Sequence, residues 1–299
     1  MGRTSSDKSF PSMAAGALIA FAAVAVGVGL VRKHDFHMRR CMDGLACVYT
    51  VRDDEGELLR VLNVGGAYQS ATRLDDRWAE PAFEYYRAFD RMFEAEAEGR
   101  RNAEEVDGVP VADPVSSNVL QVRNVLMIGG GGCSYPKHLM TSRDRVCIDV
   151  VERDPAIARI ARDFFFVDRL EREFGRDGEG RFSLLVDDGL GYLERGDSLY
   201  DVIIDDAFSG DAADDGLLSD SGLKAVTRRL RRGGLFLVNV VADDSLDDAM
   251  RLQGIIASLR RRSRYVHTID ASDERFGGKS NYLVVATDGS YAFSDVIPW

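Results

Sequence analysis

Short apolar runs alternate with amphipathic stretches along most of the chain. Residues 122–128, 146–151, 182–186, 200–204 and 235–241 read as strands, because each is an apolar run bounded by polar or glycine-rich turns. Residues 136–140, 155–165, 217–231 and 246–261 read as the helices between them, the third ending on Gly233 and Gly234 as its cap. Residues 265–269 and 282–286 close the pattern. Their polar linker is too short for a parallel crossover, so they are expected to pair antiparallel. Repeated strand–helix units predict an α/β fold with a doubly wound, mostly parallel sheet. Upstream, residues 46–51 and 58–62 flank Asp53-Asp54-Glu55-Gly56 as a β-hairpin, and residues 68–72 offer a further strand. Phe83, Tyr86, Phe89 and Phe93 recur at helical spacing within residues 81–98, and residues 101–118, with Pro110 and Pro114, read as a loop. Three parts follow: residues 1–40 as tail, anchor and basic flank, 41–118 as a small β-rich domain, and 119–299 as the large α/β domain.

The first strand of the large domain runs into Gly129-Gly130-Gly131-Gly132-Cys133-Ser134-Tyr135-Pro136. Glycines let the backbone approach a ligand with no Cβ in the way, Ser134 suits an N-cap, and Pro136 suits a first helical turn. The next strand ends at Glu152, about 20 residues after the glycines, where open α/β sheets bind ribose hydroxyls. The third strand closes on Asp187-Asp188-Gly189 and the fourth on Asp205-Asp206-Ala207-Phe208-Ser209-Gly210-Asp211. Glycines or carboxylates thus end four strands at one rim, the place where such sheets take a nucleoside-containing ligand. A nicotinamide-dependent oxidoreductase is the weakest match, since Gly129-x-Gly131-x-x ends in Ser134 and lacks the third glycine.

Composition narrows the picture further. A net charge of -11 argues against a nucleic-acid partner. Cys41, Cys47, Cys133 and Cys147 form no paired motif, so no metal is expected. Cys133 suits either packing or the ligand. His138 and the arginine runs at 228–232 and 260–262 read as helix surface. Residues 12–31 carry no charge over 20 positions, enough to cross a bilayer as a helix. The surplus of basic residues after that run (Arg32, Lys33, Arg39, Arg40) places the large domain in the cytoplasm. A cleaved signal peptide and a buried helix are the competing readings of the run, and no small-x-small cleavage site closes it before Arg32, so the first expectation is a single-pass cell-membrane protein with an N-terminal transmembrane helix.

Ile128-Gly129-Gly130-Gly131, Glu152-Arg153-Asp154-Pro155, Asp188-Gly189 and Asp206-Ala207-Phe208-Ser209-Gly210-Asp211 together resemble the spermidine synthase family, the polyamine aminopropyltransferases, and more closely its divergent spermidine synthase-like members. The resemblance runs over residues 45–290 and includes the upstream hairpin. It implies a class I methyltransferase-like fold with a small N-terminal β-hairpin domain, and S-adenosylmethionine or its decarboxylated form as co-substrate. It also implies a small amine as acceptor and a homodimer. Carried over by position, Gly129, Gly130, Gly131, Gly189 and Gln69 would line the cofactor, Glu152 would hold the ribose and Asp188 the adenine. Asp206 would be the catalytic aspartate, taking the proton of the attacking amine.

The chain departs from the family at two places. Gly132 stands where the family carries an aspartate, and Ser209 where it carries a second one. Both lost carboxylates would grip cationic groups. Asp211 is ranked before Asp205 as the compensating residue, because strand alternation turns Asp205 away from Asp206. Aminopropyl transfer is the first expectation. Methyl transfer on the same fold is the rival, and a nucleoside-binding module without turnover is a further class.

Overall fold

A computed structural model describes residues 35–53, 56–107, 119–207, 216–243, 245–272 and 280–298. Two sheets organise them. The first has four strands in sequential antiparallel order: β1 (His37–Cys41), β2 (Gly44–Arg52), β3 (Leu58–Val64) and β4 (Ala67–Arg73). The predicted hairpin is β2–β3, closed by bonds from the Asp53 amide to the Glu57 carbonyl and from the Gly56 amide to the Asp53 carbonyl. β1 lies in the stretch expected to be a flank. Its register with β2, Met38 against Cys47 and Cys41 against Gly44, makes it a full edge strand.

The second sheet has eight strands in the order β12-β10-β11-β9-β8-β5-β6-β7. Its parallel part joins β5 (Asn124–Ile128), β6 (Cys147–Glu152), β7 (Phe182–Val186), β8 (Tyr200–Asp205) and β9 (Leu230–Ala242). β10 (Tyr265–Asp270), β11 (Ser280–Thr287) and the two-residue β12 (Val296–Ile297) add antiparallel strands, so the expected antiparallel closing pair is present. Chain order reverses direction across the sheet between β5 and β8, which makes that crevice the switch point.

Helices cover both faces. α1 (Tyr85–Ala88), α2 (Arg91–Asp107), α3 (Ser134–Ser142), α4 (Pro155–Phe164) and α5 (Val167–Phe174) lie on one face, and α6 (Gly189–Arg195), α7 (Asp220–Arg229) and α8 (Leu246–Arg260) on the other. Strand alternation sorts the core accordingly. Val125, Met127, Ile148 and Ile204 pack with Phe89, Tyr135 and Leu139, whereas Leu126, Ile128, Ile203 and Phe236 pack with Leu193, Val226 and Ile256. The first core also takes Leu59, Val61 and Ala71, so the small sheet shares apolar contacts with the large one.

Several sequence expectations shift for physical reasons. The aromatic helix breaks at Phe89–Asp90 into α1 and α2, and α2 runs on to Asp107, into the expected loop. Ser134 is not the N-cap. Cys133 occupies that position with φ of 52°, and the Ser134 hydroxyl donates instead to the Ala71 carbonyl of β4. The third predicted helix stops at Arg229, and Gly233 and Gly234 lie inside β9, with the φ of 72° at Gly233 absorbed near the register shift against β8. The arginine run is no solvated face at Arg229, which is 2% exposed. Its guanidinium lies over the Tyr192 and Tyr200 rings and donates to the carbonyls of Leu193 and Ser198.

The membrane expectation is corrected. Among the described residues no helix is long and apolar enough to cross a membrane, so a single-pass cell-membrane protein with a transmembrane helix and a cytoplasmic domain is not supported. The apolar segment 12–31 on which that expectation stood lies outside the described residues.

Candidate functional site

The rim at the carboxyl ends of β5, β6 and β8 brings most of the predicted residues together. β5 ends against β8: the Asp206 amide donates to the Ile128 carbonyl at 2.9 Å, and a Cβ on Gly129 would stand 2.5 Å from the Asp206 carbonyl oxygen. Only glycine fits there, and its φ of 91° is one that side chains avoid. Gly131, with φ of 48°, lies against β4, where a Cβ would come 3.4 Å from the Gln69 carbonyl oxygen. Gln69 is thus beside the glycine loop, through its backbone.

Glu152 ends β6 and is buried. Its Oε2 accepts from the amides of Gly130 (3.0 Å) and Gly131 (3.1 Å), and its Oε1 from that of Asp154 (2.9 Å). Burial pushes this carboxyl above its ordinary range, and the three amides oppose the shift. A carboxylate offers about four acceptor directions. Glu152 spends three on backbone and keeps one for a ribose hydroxyl. Asp188 is exposed and caps α6, its Oδ2 accepting from the Gly191 amide at 2.6 Å. Gly189 is packed so closely on Ile128 that a Cβ would stand 2.5 Å from its Cγ2.

Asp206 follows β8 as the chain leaves the sheet. It retains some contact with solvent, yet protein surrounds the carboxyl closely enough that desolvation pushes it up to about 7. The Asn239 Nδ2 of β9 donates to Asp206 Oδ1 at 2.8 Å and opposes that rise, while the charge of Asp205 adds to it. Asp205 itself is buried and accepts from the Ala207 amide at 3.3 Å. Tyr85 and Tyr86, with ring centroids 4.1 Å apart, complete the surroundings. Burial holds both hydroxyls protonated, and the nearby charge of Asp206 reinforces it. Ser209 and Asp211 lie outside the described residues.

Gly132, where the sequence resemblance would place an aspartate, is sterically closed. A Cβ on Gly132 would stand 2.7 Å from Ser70 Oγ and 2.8 Å from Phe165 Cδ1, so no aspartate fits without moving the small sheet or α4. Two further groups lock that junction. The Ser70 and Ser134 hydroxyls are 3.0 Å apart, and the buried Lys137 Nζ donates to Thr72 Oγ1 at 2.8 Å and the Phe165 carbonyl at 3.2 Å. Burial lowers the Lys137 ammonium to about 7. Cys133 is fully buried and its thiol is pushed up to about 12 by that burial, so its role is packing. His138 turns away to Asp90, 3.2 Å distant. Among the described residues no group of three or more His, Cys, Asp or Glu stands ready for a metal ion.

Sequence reasoning missed Asn239, Tyr85 and Lys137. Asn239 is the polar position in an otherwise apolar run, Leu235 to Val241, at the carboxyl end of a strand, and that signal was available. Tyr85 is the aromatic that falls off the Phe83–Tyr86–Phe89 stripe. Lys137 carries no such mark, since a lysine in a helix reads as surface.

Comparison with known proteins adds three findings. Residues 106–248 match the family model described as the spermine/spermidine synthase domain. The polyamine aminopropyltransferase of Alkaliphilus metalliredigens is 31% identical over 118 residues, 40% of this chain and 39% of that protein. Polyamine aminopropyltransferase 2 of Pseudomonas aeruginosa is 25% identical over 223 residues, 73% of this chain and 61% of that protein. The chain thus spans less than two thirds of the length of these relatives. Among solved structures, a probable spermidine synthase from Corynebacterium glutamicum superposes with a TM-score of 0.60 at 19% identity, over 86% of this chain and 81% of that one. A spermidine synthase in complex with the transition-state analogue AdoDATO gives 0.56 at 16% identity, over 87% and 82%. These likenesses show the fold.

Proposed function

This chain is a divergent member of the spermidine synthase-like family, and from that membership we propose that it transfers an aminopropyl group from decarboxylated S-adenosylmethionine to a small amine. The observation that carries the reading is Asp206: a carboxyl at the switch-point crevice, held near pH 7 by burial and met by a single amide donor from Asn239. A general base works best when its pKa lies near the working pH. The co-substrate supplies an electrophilic carbon next to a sulfonium, with a neutral thioether as leaving group.

The residues present fit such a nucleoside on one side. Gly129 to Gly131 pack tightly on Asp206, Val150 and Gln69 and leave a loop of bare backbone at the rim, and Glu152 holds its amides in place while keeping one acceptor direction for a ribose hydroxyl. Asp188 would approach the base from the start of α6, where its other oxygen is already engaged as a cap. On the far side Asp206 binds the acceptor amine and takes its proton as the nitrogen attacks. Tyr85 and Tyr86 give that amine aromatic walls and exclude water. Ser209 and Asp211 belong to the proposed acceptor side by sequence position.

Methyl transfer from S-adenosylmethionine is the second reading, and Gly132 favours it. The place where the family carries a carboxylate is sterically shut here, so one grip on a cationic aminopropyl tail is gone. The full chain incubated with decarboxylated S-adenosylmethionine and putrescine is expected to release methylthioadenosine. Release of S-adenosylhomocysteine together with a methylated amine, when S-adenosylmethionine replaces the decarboxylated co-substrate, would install methyl transfer instead. Binding of both nucleosides with neither product would leave a nucleoside-binding module.

A further inference from the structure

We propose that the chain binds a small phosphorylated anion in the cavity between β1 and α4, held by Arg39, Arg40 and Arg159. The cavity measures about 400 Å³, and its walls are those three arginines with Pro155 and Ala156. Three arginines and no acidic residue line it, in a chain whose net charge is -11.

Arg39 is fixed before any ligand arrives. Its Nη2 pairs with Asp163 at 2.6 Å, and its guanidinium stands 5.2 Å from the centroid of the Phe164 ring. Arg40 and Arg159 are exposed and enter no ion pair among the described residues. The other charges nearby are committed: Asp43 pairs with Arg153 at 2.9 Å, and Asp154 accepts from the amides of Met42 and Ala156. That last bond caps α4, so the attraction comes from the guanidiniums and not from a bare helix end. Guanidinium forks match the oxygens of a phosphate two at a time, which is why three of them around one cavity select this anion class over a lone carboxylate.

The site also touches the nucleoside rim. The β1–β2 turn clamps Arg153 and Asp154, and the Asp154 amide donates to Glu152. A ligand bridging β1 to α4 would hold that turn against β6. The inference stands on its own residues and does not require any particular transferase reaction.

Isothermal titration of the full chain with inorganic pyrophosphate, and separately with ADP, tests it. Saturable pyrophosphate binding is expected, weakened by added salt. It should fall at least about tenfold in Arg40→Ala/Arg159→Ala, because two charge-assisted contacts are lost. Both positions are exposed, so the variant should melt with the wild type; if it does not, Arg159→Gln alone supplies the same comparison. A control variant at two exposed arginines elsewhere, Arg145→Ala/Arg176→Ala, should bind unchanged. Tighter binding of ADP than of pyrophosphate, with both lost in the cavity variant, identifies a nucleotide; equal binding identifies a free phosphate. No saturable heat, equal loss in the control variant, or ADP binding untouched by the cavity variant would overturn the proposal.

Discussion

The two halves of the rim handle a buried carboxyl in opposite ways. On the half proposed to take the nucleoside, Glu152 is pushed up by burial and then answered by three backbone amides. On the half proposed to take the amine, Asp206 is pushed up to about 7 and answered by one side-chain amide, while Asp205 works against it. The first arrangement keeps a charge in place and braces a loop. The second leaves a proton free to come and go near neutrality. Where the ties are fewest, acid–base chemistry is available, and where they are many, the carboxylate serves as scaffold.

The strongest way to break that contrast is Asp206→Asn, which keeps the shape and the Asn239 neighbour but cannot take a proton. Turnover is expected to fall about 10²–10⁴-fold, the usual weight of a general base, with nucleoside affinity preserved. Calorimetry of methylthioadenosine binding checks the second half. Stability should move the other way. The folded-state pKa of Asp206 lies above its ordinary 3.8, so the folded protein holds an extra proton between about 4 and 7 and loses stability as pH rises through that window. Melting curves of Asp206→Asn should therefore lie above the wild type at pH 8 and approach it at pH 4. Turnover that survives the substitution would remove Asp206 as the base.

Glu152→Ala probes the braced half. It strips acceptors from the amides of Gly130, Gly131 and Asp154, each worth about 1–3 kcal/mol when left unmade. Water will recover part of this, so a net loss of roughly 2–3 kcal/mol and a nucleoside affinity lowered about 10–100-fold are expected. The test of bracing is that the melting temperature falls with no nucleoside present. A variant that melts normally yet binds weakly would make Glu152 a ligand contact alone.

How far the sequence revealed all this differs between the halves. Glycines, Glu152 and Asp188 stand at strand ends, and strand ends are legible because hydrophobic period and turn residues mark them. What those residues do with their lone pairs was not legible: Asp188 spends one oxygen as a cap and Glu152 three directions on backbone, and both depend on where an amide points. The amine half draws Tyr85 from a helix more than 100 positions before Asp206, and Asn239 from a neighbouring strand. No local pattern joins such residues. The obstruction at Gly132 is of the same kind, since Ser70 and Phe165 come from two distant elements. The apolar segment 12–31 shows the opposite failure, in which composition alone predicted a placement that no described helix supports.

A third test concerns the junction that holds the glycine loop against the small sheet. Lys137 has its ammonium lowered from an ordinary 10.5 to about 7 by burial. Between pH 7 and 8.5 the unfolded chain carries this proton and the folded chain sheds it, so stability rises with pH, by up to about 1.4 kcal/mol per pH unit for one such group. Restricting the range to pH 8.5 avoids the buried thiol of Cys133, whose raised pKa acts in the opposite sense at higher pH. Urea unfolding of Lys137→Met should lack that slope. A slope equal to the wild type would place the titration elsewhere.

The smallest effect is the one that separates position from packing. Asn239 donates to Asp206 Oδ1 and thereby favours the charged form. Asn239→Leu keeps the volume of the side chain, removes the donor and lets the carboxyl rise further. A base with a higher pKa needs a higher pH to lose its proton. The acid limb of the kcat/KM profile should therefore move up by about one unit or less, with rates converging near pH 9. The carboxyl carbon resonance of Asp206, assigned by its loss in Asp206→Asn, should titrate higher by the same amount in protein that is turning nothing over. Asn239→Asp replaces the donor with a like charge and should move both readouts further in the same direction. A purely structural Asn239 would lower the rate at every pH and leave the limb and the resonance where they were.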